Sequence, residues 1–462
     1  MVTSDRSLEL WQQGQLVEVT ITDLNDTGEG VGRSGERVVF VPDTVTGDRA
    51  LVRLVRVKPN YAIAKLHELL EGSPHRIRPN CIVADKCGGC QWQHIATPYQ
   101  QLTKQNLVVQ ALQHIGGFSS VPMAPILVPD SPLDYRNKVT YPLKVSATGQ
   151  VQAGYYQKGS HHLINLNQCP VQDPRFNPLL AQIKQDIQQR GWSVYDEHHH
   201  QGQLRHLSLR IGRRTGEILL TLVTTDWNLA DLEVQAQQWL KRYPKLVGVC
   251  LNLNCDRTNV IFGSQTRSIA GQPYLREQFA GLEFQLRPDT FFQVNTEVAE
   301  ALLNAIVTQL NLQGDELLVD AYCGIGTFAL PLAQRVRQAI GLEVQSAAVA
   351  QAQNNAHLNG ITNATFKTGT VEQLLPQLDL LLDVVLLDPP RKGCDRTVIE
   401  TLRSVLPKRL VYISCKPATL ARDLKLLCQP GGYELTQIQL ADFFPQTPHV
   451  ECAAFLSKES AA

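Results

Sequence analysis

The chain has 462 residues, 43% of them hydrophobic, and its 43 Lys and Arg are balanced by 43 Asp and Glu. That length suggests about three domains with packed cores. A formal net charge of zero gives no global attraction for nucleic acid, so any RNA-binding surface has to be local.

Residues 1–70 read as a small β domain. The segment Met1 to Glu9 is polar and lacks the apolar stretch of a secretion signal, and no later run reaches the roughly 18 apolar residues of a membrane span. A cytoplasmic location, with no membrane partner, is expected. In that reducing setting the 11 cysteines point to metal binding or catalysis rather than to a disulfide framework. Val17, Val19 and Ile21 alternate with Glu18 and Thr20, and further strands are predicted over Val38 to Val41, Leu51 to Val57 and Ala62 to Leu66. Short strands with Gly-containing turns suggest an OB-like barrel. Arg49, Arg53, Arg56, Lys58 and Lys65 collect on its last part, either as a solvated face or as contacts for a phosphate backbone.

Residues 71–289 read as a mixed α+β domain. Helices are predicted near Arg175 to Arg190 and Leu229 to Arg242, and a hairpin joins Leu204 to Arg213 with Ile218 to Thr225 through Thr215-Gly216. Arg136, Lys138, Arg205, Arg210, Arg213 and Arg214 make the region basic. His161, His162 and His198-His199-His200 read as surface loops, because adjacent histidines cannot all face one ion. Cys81, Cys87 and Cys90 form C-x5-C-x2-C around Gly88-Gly89, and Cys169 precedes Pro170. Three close cysteines and a distant fourth form a tetrathiolate pattern that by spacing fits zinc or an iron-sulfur cluster. Cys250, Cys255, Cys323, Cys394, Cys428 and Cys452 are expected to be packing residues.

From 290 to 462 strands and helices alternate. Strands over Leu317 to Asp320, Ala339 to Glu343, Val384 to Leu387 and Leu410 to Ser414 predict an α/β, doubly wound parallel sheet. The first ends in Cys323-Gly324-Ile325-Gly326, a turn that lets a nucleotide approach the backbone, and the second ends in Glu343, placed to accept from a ribose diol. The third glycine of a dinucleotide fingerprint is absent at Ala329 or Leu330, which argues against NAD and toward S-adenosylmethionine. The third strand enters Asp388-Pro389-Pro390-Arg391, whose prolines hold an extended backbone where a planar base can be gripped. The fourth delivers Cys415 to the start of a helix, where a thiolate is favoured.

Five ordered motifs resemble the RNA uracil-5-methyltransferases: Thr290 to Asn295, Asp320 to Phe328, Asp388 to Arg391, Val411 to Asp423, and Phe444 to Glu451. The N-terminal barrel resembles that family's TRAM domain. The resemblance implies a Rossmann-like class I methyltransferase domain. It also implies Cys415 as the nucleophile that adds to uracil C6 and Glu451 as the acceptor of the C5 proton. Gln293, Tyr322, Thr327, Glu343, Thr370 and Asp388 would line the cofactor and base pocket. Thr327 and Thr370 depart from the residues expected there, so those contacts would run through backbone. Cys81, Cys87, Cys90 and Cys169 would hold a structural 4Fe-4S cluster. Barrel plus cluster cysteines point to 23S rRNA as the partner, with tRNA as the alternative, and to a monomer acting on a looped or flipped uridine. A radical iron-sulfur enzyme is disfavoured because four cysteines leave no open iron. A non-catalytic RNA chaperone is disfavoured by intact Cys415 and Glu451.

Overall fold

The computed structural model describes residues 11–35, 37–378 and 380–459, so the polar opening Met1 to Glu9 lies outside the described residues. The chain forms two compact units: Met1–Leu107 with Phe444–His449, and Val108–Phe443 with Val450–Ala462.

The first unit contains a closed barrel of β1 (Leu16–Leu24), β2 (Gly30–Ser34), β3 (Arg37–Val41), β4 (Arg49–Val57) and β5 (Tyr61–Glu71), in the order β1-β2-β3-β5-β4. β4 closes the barrel by pairing antiparallel with β1. Alternation along the strands turns Val19, Ile21, Val39, Val41, Ala50, Val52 and Leu54 inward, as a period of two requires. The packing continues past residue 70. Trp92 and Ile95 join Leu24 and Val45 in a second cluster, and the Trp92 indole donates to the Gly28 carbonyl at 3.1 Å. The buried Asp48 carboxylate accepts from the Ser73 N–H at 2.9 Å and from Arg76 at 3.2 Å.

The second unit holds two seven-stranded sheets. One comprises β6 (Lys138–Val145), β7 (Val151–Tyr156), β8 (Leu163–Asn165), β9 (Leu204–Ile211), β10 (Ile218–Thr224), β11 (Leu246–Leu253) and β12 (Gln265–Gly271), ordered β12-β11-β10-β9-β6-β7-β8. Helices Phe176–Arg190 and Leu232–Arg242 supply Phe176, Ile183 and Trp239 to its core. The second helix starts three residues later than its hydrophobic pattern predicts, since Asp231 takes a left-handed backbone (φ 55°). A hairpin follows, β13 (Leu275–Phe279) and β14 (Leu282–Leu286).

The other sheet comprises β15 (Leu317–Ala321), β16 (Gln338–Glu343), β17 (Ala364–Thr368), β18 (Val384–Leu387), β19 (Arg409–Ser414), β20 (Tyr433–Ala441) and β21 (Glu451–Lys458), ordered β17-β16-β15-β18-β19-β21-β20. Strands β15 to β19 run parallel. The order reverses at β15, where open parallel sheets leave a crevice at their carboxyl ends. β21 runs antiparallel to β19, with Ser414 opposite Cys452. Its first residue, Glu451, therefore stands at the edge where the parallel strands finish.

Candidate active site

β15 leaves the sheet through Tyr322, Gly324 and Gly326, all in left-handed backbone (φ 72°, 55° and 83°). Such geometry costs a non-glycine residue about 1 kcal/mol or more, and Tyr322 is held in it by donating its N–H to the Leu342 carbonyl at 2.9 Å. A Cβ on Gly326 would lie 2.9 Å from Leu330, so the tight turn needs glycine.

The turn fixes the acid at the end of β16. Gly324 N–H donates to Glu343 Oε2 at 3.1 Å and Gln345 N–H to Oε1 at 2.8 Å. Gly369 N–H reaches the Glu343 carbonyl at 2.9 Å, which sets Thr370 beside that strand end, and Asp388 N–H reaches the Ala321 carbonyl at 3.3 Å. Tyr322, Thr327, Glu343, Thr370 and Asp388 thus gather at the carboxyl ends of β15 to β18. Gln293 is buried in the segment before helix Thr296–Leu310. Its backbone carbonyl accepts from Asn137 at 2.9 Å; no hydrogen bond among the described residues joins it to the other five.

The crevice is acidic. Asp320 is 1% exposed, its Oδ2 has no hydrogen-bond partner, and burial together with the Asp388 charge pushes its pKa well up. Burial lifts Asp388 to about 7. Adjacent carboxylates that their surroundings leave under-compensated suit a ligand bringing positive charge and hydroxyl donors.

Cys415 lies between β19 and helix Pro417–Leu427. The thiolate expected there meets opposition: burial, then the Glu451 charge, raise the thiol's pKa, while the Arg391 charge and a hydrogen bond from its guanidinium pull it down. Glu451 is held well above the usual carboxylate range by burial and by Asp388, against Arg391. The helix start is outweighed because desolvation and a neighbouring carboxylate act at closer range than a terminal dipole.

Two groups that the sequence did not reveal organise this corner. Arg391 stands by the Cys415 thiol and pulls its pKa down. Asp423, 1% exposed, accepts from the Tyr412 hydroxyl at 2.6 Å, from Cys394 N–H at 3.0 Å and from Arg422 at 2.8 Å. Arg422 also donates to the Lys392 carbonyl at 3.0 Å. The helix after Cys415 is thereby tied to the turn that carries Arg391. An Arg-Asp pair in an amphipathic helix gives no sign that it reaches back 29 residues.

The cysteines divide by environment. Cys87 and Cys169 are buried, and Cys81 and Cys90 partly so. Gly89 N–H points at Cys87 Sγ, 3.4 Å away. Among the described residues no group of three or more His, Cys, Asp or Glu side chains is arranged to hold a metal ion. Cys255, expected to pack, is exposed.

The central region's basic residues are corrected by their partners. Arg210 donates to the Arg287 and Thr290 carbonyls, both at 2.7 Å, and Arg205 to those of Asn254, Asp256 and Thr258. Arg213 pairs with Asp173 and Glu297, and Arg214 with Glu300. These contacts brace the domain. On the barrel, Arg49, Arg53, Arg56 and Lys65 are exposed, and Arg53 stands opposite Lys65. Like charges facing across a ladder repel, and an anion between them would relieve that.

Residues 153–459 match the tRNA (uracil-5-)-methyltransferase family and residues 10–67 the TRAM domain. An uncharacterized RNA methyltransferase of Nostoc sp. is 71% identical, the match covering 96% of this chain and 97% of the relative. One from Synechocystis sp. is 59% identical over 97% and 96%. Among solved structures, the Pyrococcus abyssi tRNA (uracil-54, C5)-methyltransferase in complex with S-adenosyl-L-homocysteine superposes with a TM-score of 0.77 at 26% identity, over 95% of this chain and 100% of that one.

Proposed function

Because this chain belongs to the tRNA (uracil-5-)-methyltransferase family, we propose that it transfers the methyl group of S-adenosylmethionine to C5 of a uridine in RNA. The observation that carries the reading is the antiparallel β21, which sets Glu451 at the strand edge next to Cys415. The work would divide among 1–70 for RNA holding, 71–289 for cluster and RNA, and 290–462 for catalysis.

Uracil C5 becomes nucleophilic only after addition at C6. Cys415 as thiolate adds there, and the charge released into the ring lets C5 take the methyl group. The cofactor supplies an electrophilic methyl on a sulfonium, whose positive charge offsets the acidic crevice, and leaves as S-adenosylhomocysteine. Glu451 accepts the C5 proton, for which a carboxylate of raised proton affinity is suited. The C6–S bond then breaks and returns Cys415 as thiolate. Arg391 favours that thiolate at both ends of the cycle. Glu343 receives the ribose hydroxyls and Asp388 the base, with Gln293, Tyr322, Thr327 and Thr370 lining the rest.

The first target assigned is 23S rRNA, from the barrel and the cluster cysteines. A tRNA uridine is the second reading, favoured by the full-length likeness to the archaeal tRNA enzyme. A 4Fe-4S cluster on Cys81, Cys87, Cys90 and Cys169 rests on their spacing and on the family resemblance. No reaction step runs through a cluster. Labelled S-adenosylmethionine and RNA from cells lacking the protein test the reading. Label should appear as 5-methyluridine, in rRNA or tRNA fractions, with wild type and not with Cys415→Ala; transfer by that variant would remove the central claim.

A further inference from the structure

The first sheet of the second unit carries a cavity of about 890 Å³ that the chemistry above does not use. Its walls come from separated stretches: Lys144 on β6, Tyr155 and Tyr156 on β7, Arg205 and His206 on β9, and the loops bearing His161, Tyr195 to His200, and Arg257 to Asn259. His161, His198 and His200, expected on surface loops, therefore line one place.

The lining combines flat rings with cations. Tyr156 and His161 stack at 4.9 Å between centroids with planes 17° apart. Lys144 Nζ lies 5.9 Å from the Tyr156 ring centre and the Arg205 guanidinium 4.9 Å from that of Tyr195. The Tyr195 hydroxyl is fixed by His200 Nδ1 at 2.8 Å. Glu197 sits among them, 3.2 Å from Lys144 and 3.3 Å from His161. Arg257 is exposed at the rim, with no ion-pair partner among the described residues. His206 Nδ1 is buried in the wall without a hydrogen-bond partner. Burial and the nearby Arg205 lower that imidazole to about 4, so it is neutral and one nitrogen is left with unmet hydrogen-bonding capacity.

We infer that this cavity holds an unstacked nucleotide of the RNA substrate, away from the methylated uridine, with its base against Tyr156 or Tyr195 and its phosphate at Lys144 and Arg257. The inference rests on the RNA-methyltransferase reading. Aromatic planes accept any base face, cations at the rim suit a phosphate, and Glu197 and His206 can meet a base edge. A small metabolite would not need the exposed Arg257. Among the described residues no group of three or more His, Cys, Asp or Glu side chains here is arranged to hold a metal ion.

The test uses the full-length protein and a single-stranded 12-mer RNA carrying 2-aminopurine, whose fluorescence is quenched on stacking. Wild type should bind and quench. Tyr156→Ala with Tyr195→Ala should bind about tenfold more weakly and quench less, Tyr156→Phe should behave as wild type, and S-adenosylmethionine affinity should be unchanged in all. Arg257→Glu, on an exposed loop where folding is not at risk, should weaken binding and lower the salt slope by about one. In methyl transfer these changes should raise KM and leave kcat unchanged. Wild-type affinity and quenching in both the double variant and Arg257→Glu would overturn the inference while leaving the RNA reading intact. Failure of the wild type to bind any RNA would overturn both.

Discussion

At Glu451 the chemistry makes attack and release separable. Glu451→Gln removes the proposed proton acceptor but leaves Cys415 and the methyl-transfer geometry, so the cycle should stop after methylation with RNA joined to protein. A band resistant to denaturing gels checks this, and loss of activity without such a band would reduce Glu451 to a binding residue. Arg391 acts on the thiol itself. Its guanidinium works against burial and Glu451, which raise the Cys415 pKa, so Arg391→Met should raise that pKa further. Since thiolate is the reactive form, the rising limb of activity against pH should move to higher pH, and Arg391→Lys should restore part of the shift. Iodoacetamide labelling of Cys415 across the same pH range reads the thiolate directly and should move the same way. Of these proposed roles, those of Cys415 and Glu451 are suggested by their sequence motifs. The sequence does not show Arg391 against the thiol, because no local pattern tells which way a side chain after two prolines points.

Among elements, the helix Pro417–Leu427 and the turn at 391–394 behave as one piece through Asp423. A Cβ on Gly393 would lie 2.5 Å from Asp423 Oδ2, so that turn approaches the carboxylate as closely as glycine permits. Asp423→Ala leaves the buried Tyr412 hydroxyl without its acceptor, while Cys394 N–H keeps only the Tyr412 oxygen at 3.1 Å, a cost of about 1–3 kcal/mol. A urea melt should show the lost stability, and methyl transfer should fall in kcat more than in KM as Arg391 drifts from Cys415. The parallel strands were legible because their apolar runs are bounded by glycine and proline turns. β17, exposed along much of its length, and the antiparallel pair β20 and β21 were not. An alternating or weakly apolar segment does not announce its partner or its direction.

For the molecule as a whole, zero net charge leaves RNA affinity to local surfaces. The barrel's exposed Arg53 and Lys65 are proposed to form one, and since Trp92 and Ile95 pack onto the barrel, charge reversal is a cleaner probe than deleting it. Arg53→Glu with Lys65→Glu should weaken RNA binding and flatten its salt dependence by about two counterions, with target choice retained on short substrates. An unchanged salt slope would make that strand a solvated face. The cluster proposal is also tested on the intact chain. Anaerobically purified protein should be brown with about four irons, and Cys87→Ser colourless and less soluble; a colourless protein with one zinc would replace iron by zinc.

The sequence by itself determined the reaction class, since that depends on short contiguous motifs: the Gly324 to Thr327 turn, the Asp388 to Arg391 turn, Cys415 at a strand end, and Glu451 in its late segment. Each needs only its neighbours to be recognised. Tertiary structure decided which charges are free to act. Arg205, Arg210 and Arg213 read as an RNA surface in the chain and are spent on carbonyls and carboxylates far away in it, whereas His161, His198 and His200, read as surface loops, line one cavity. Partner choice for a long side chain is made across sheets and loops, and no spacing along the chain encodes it.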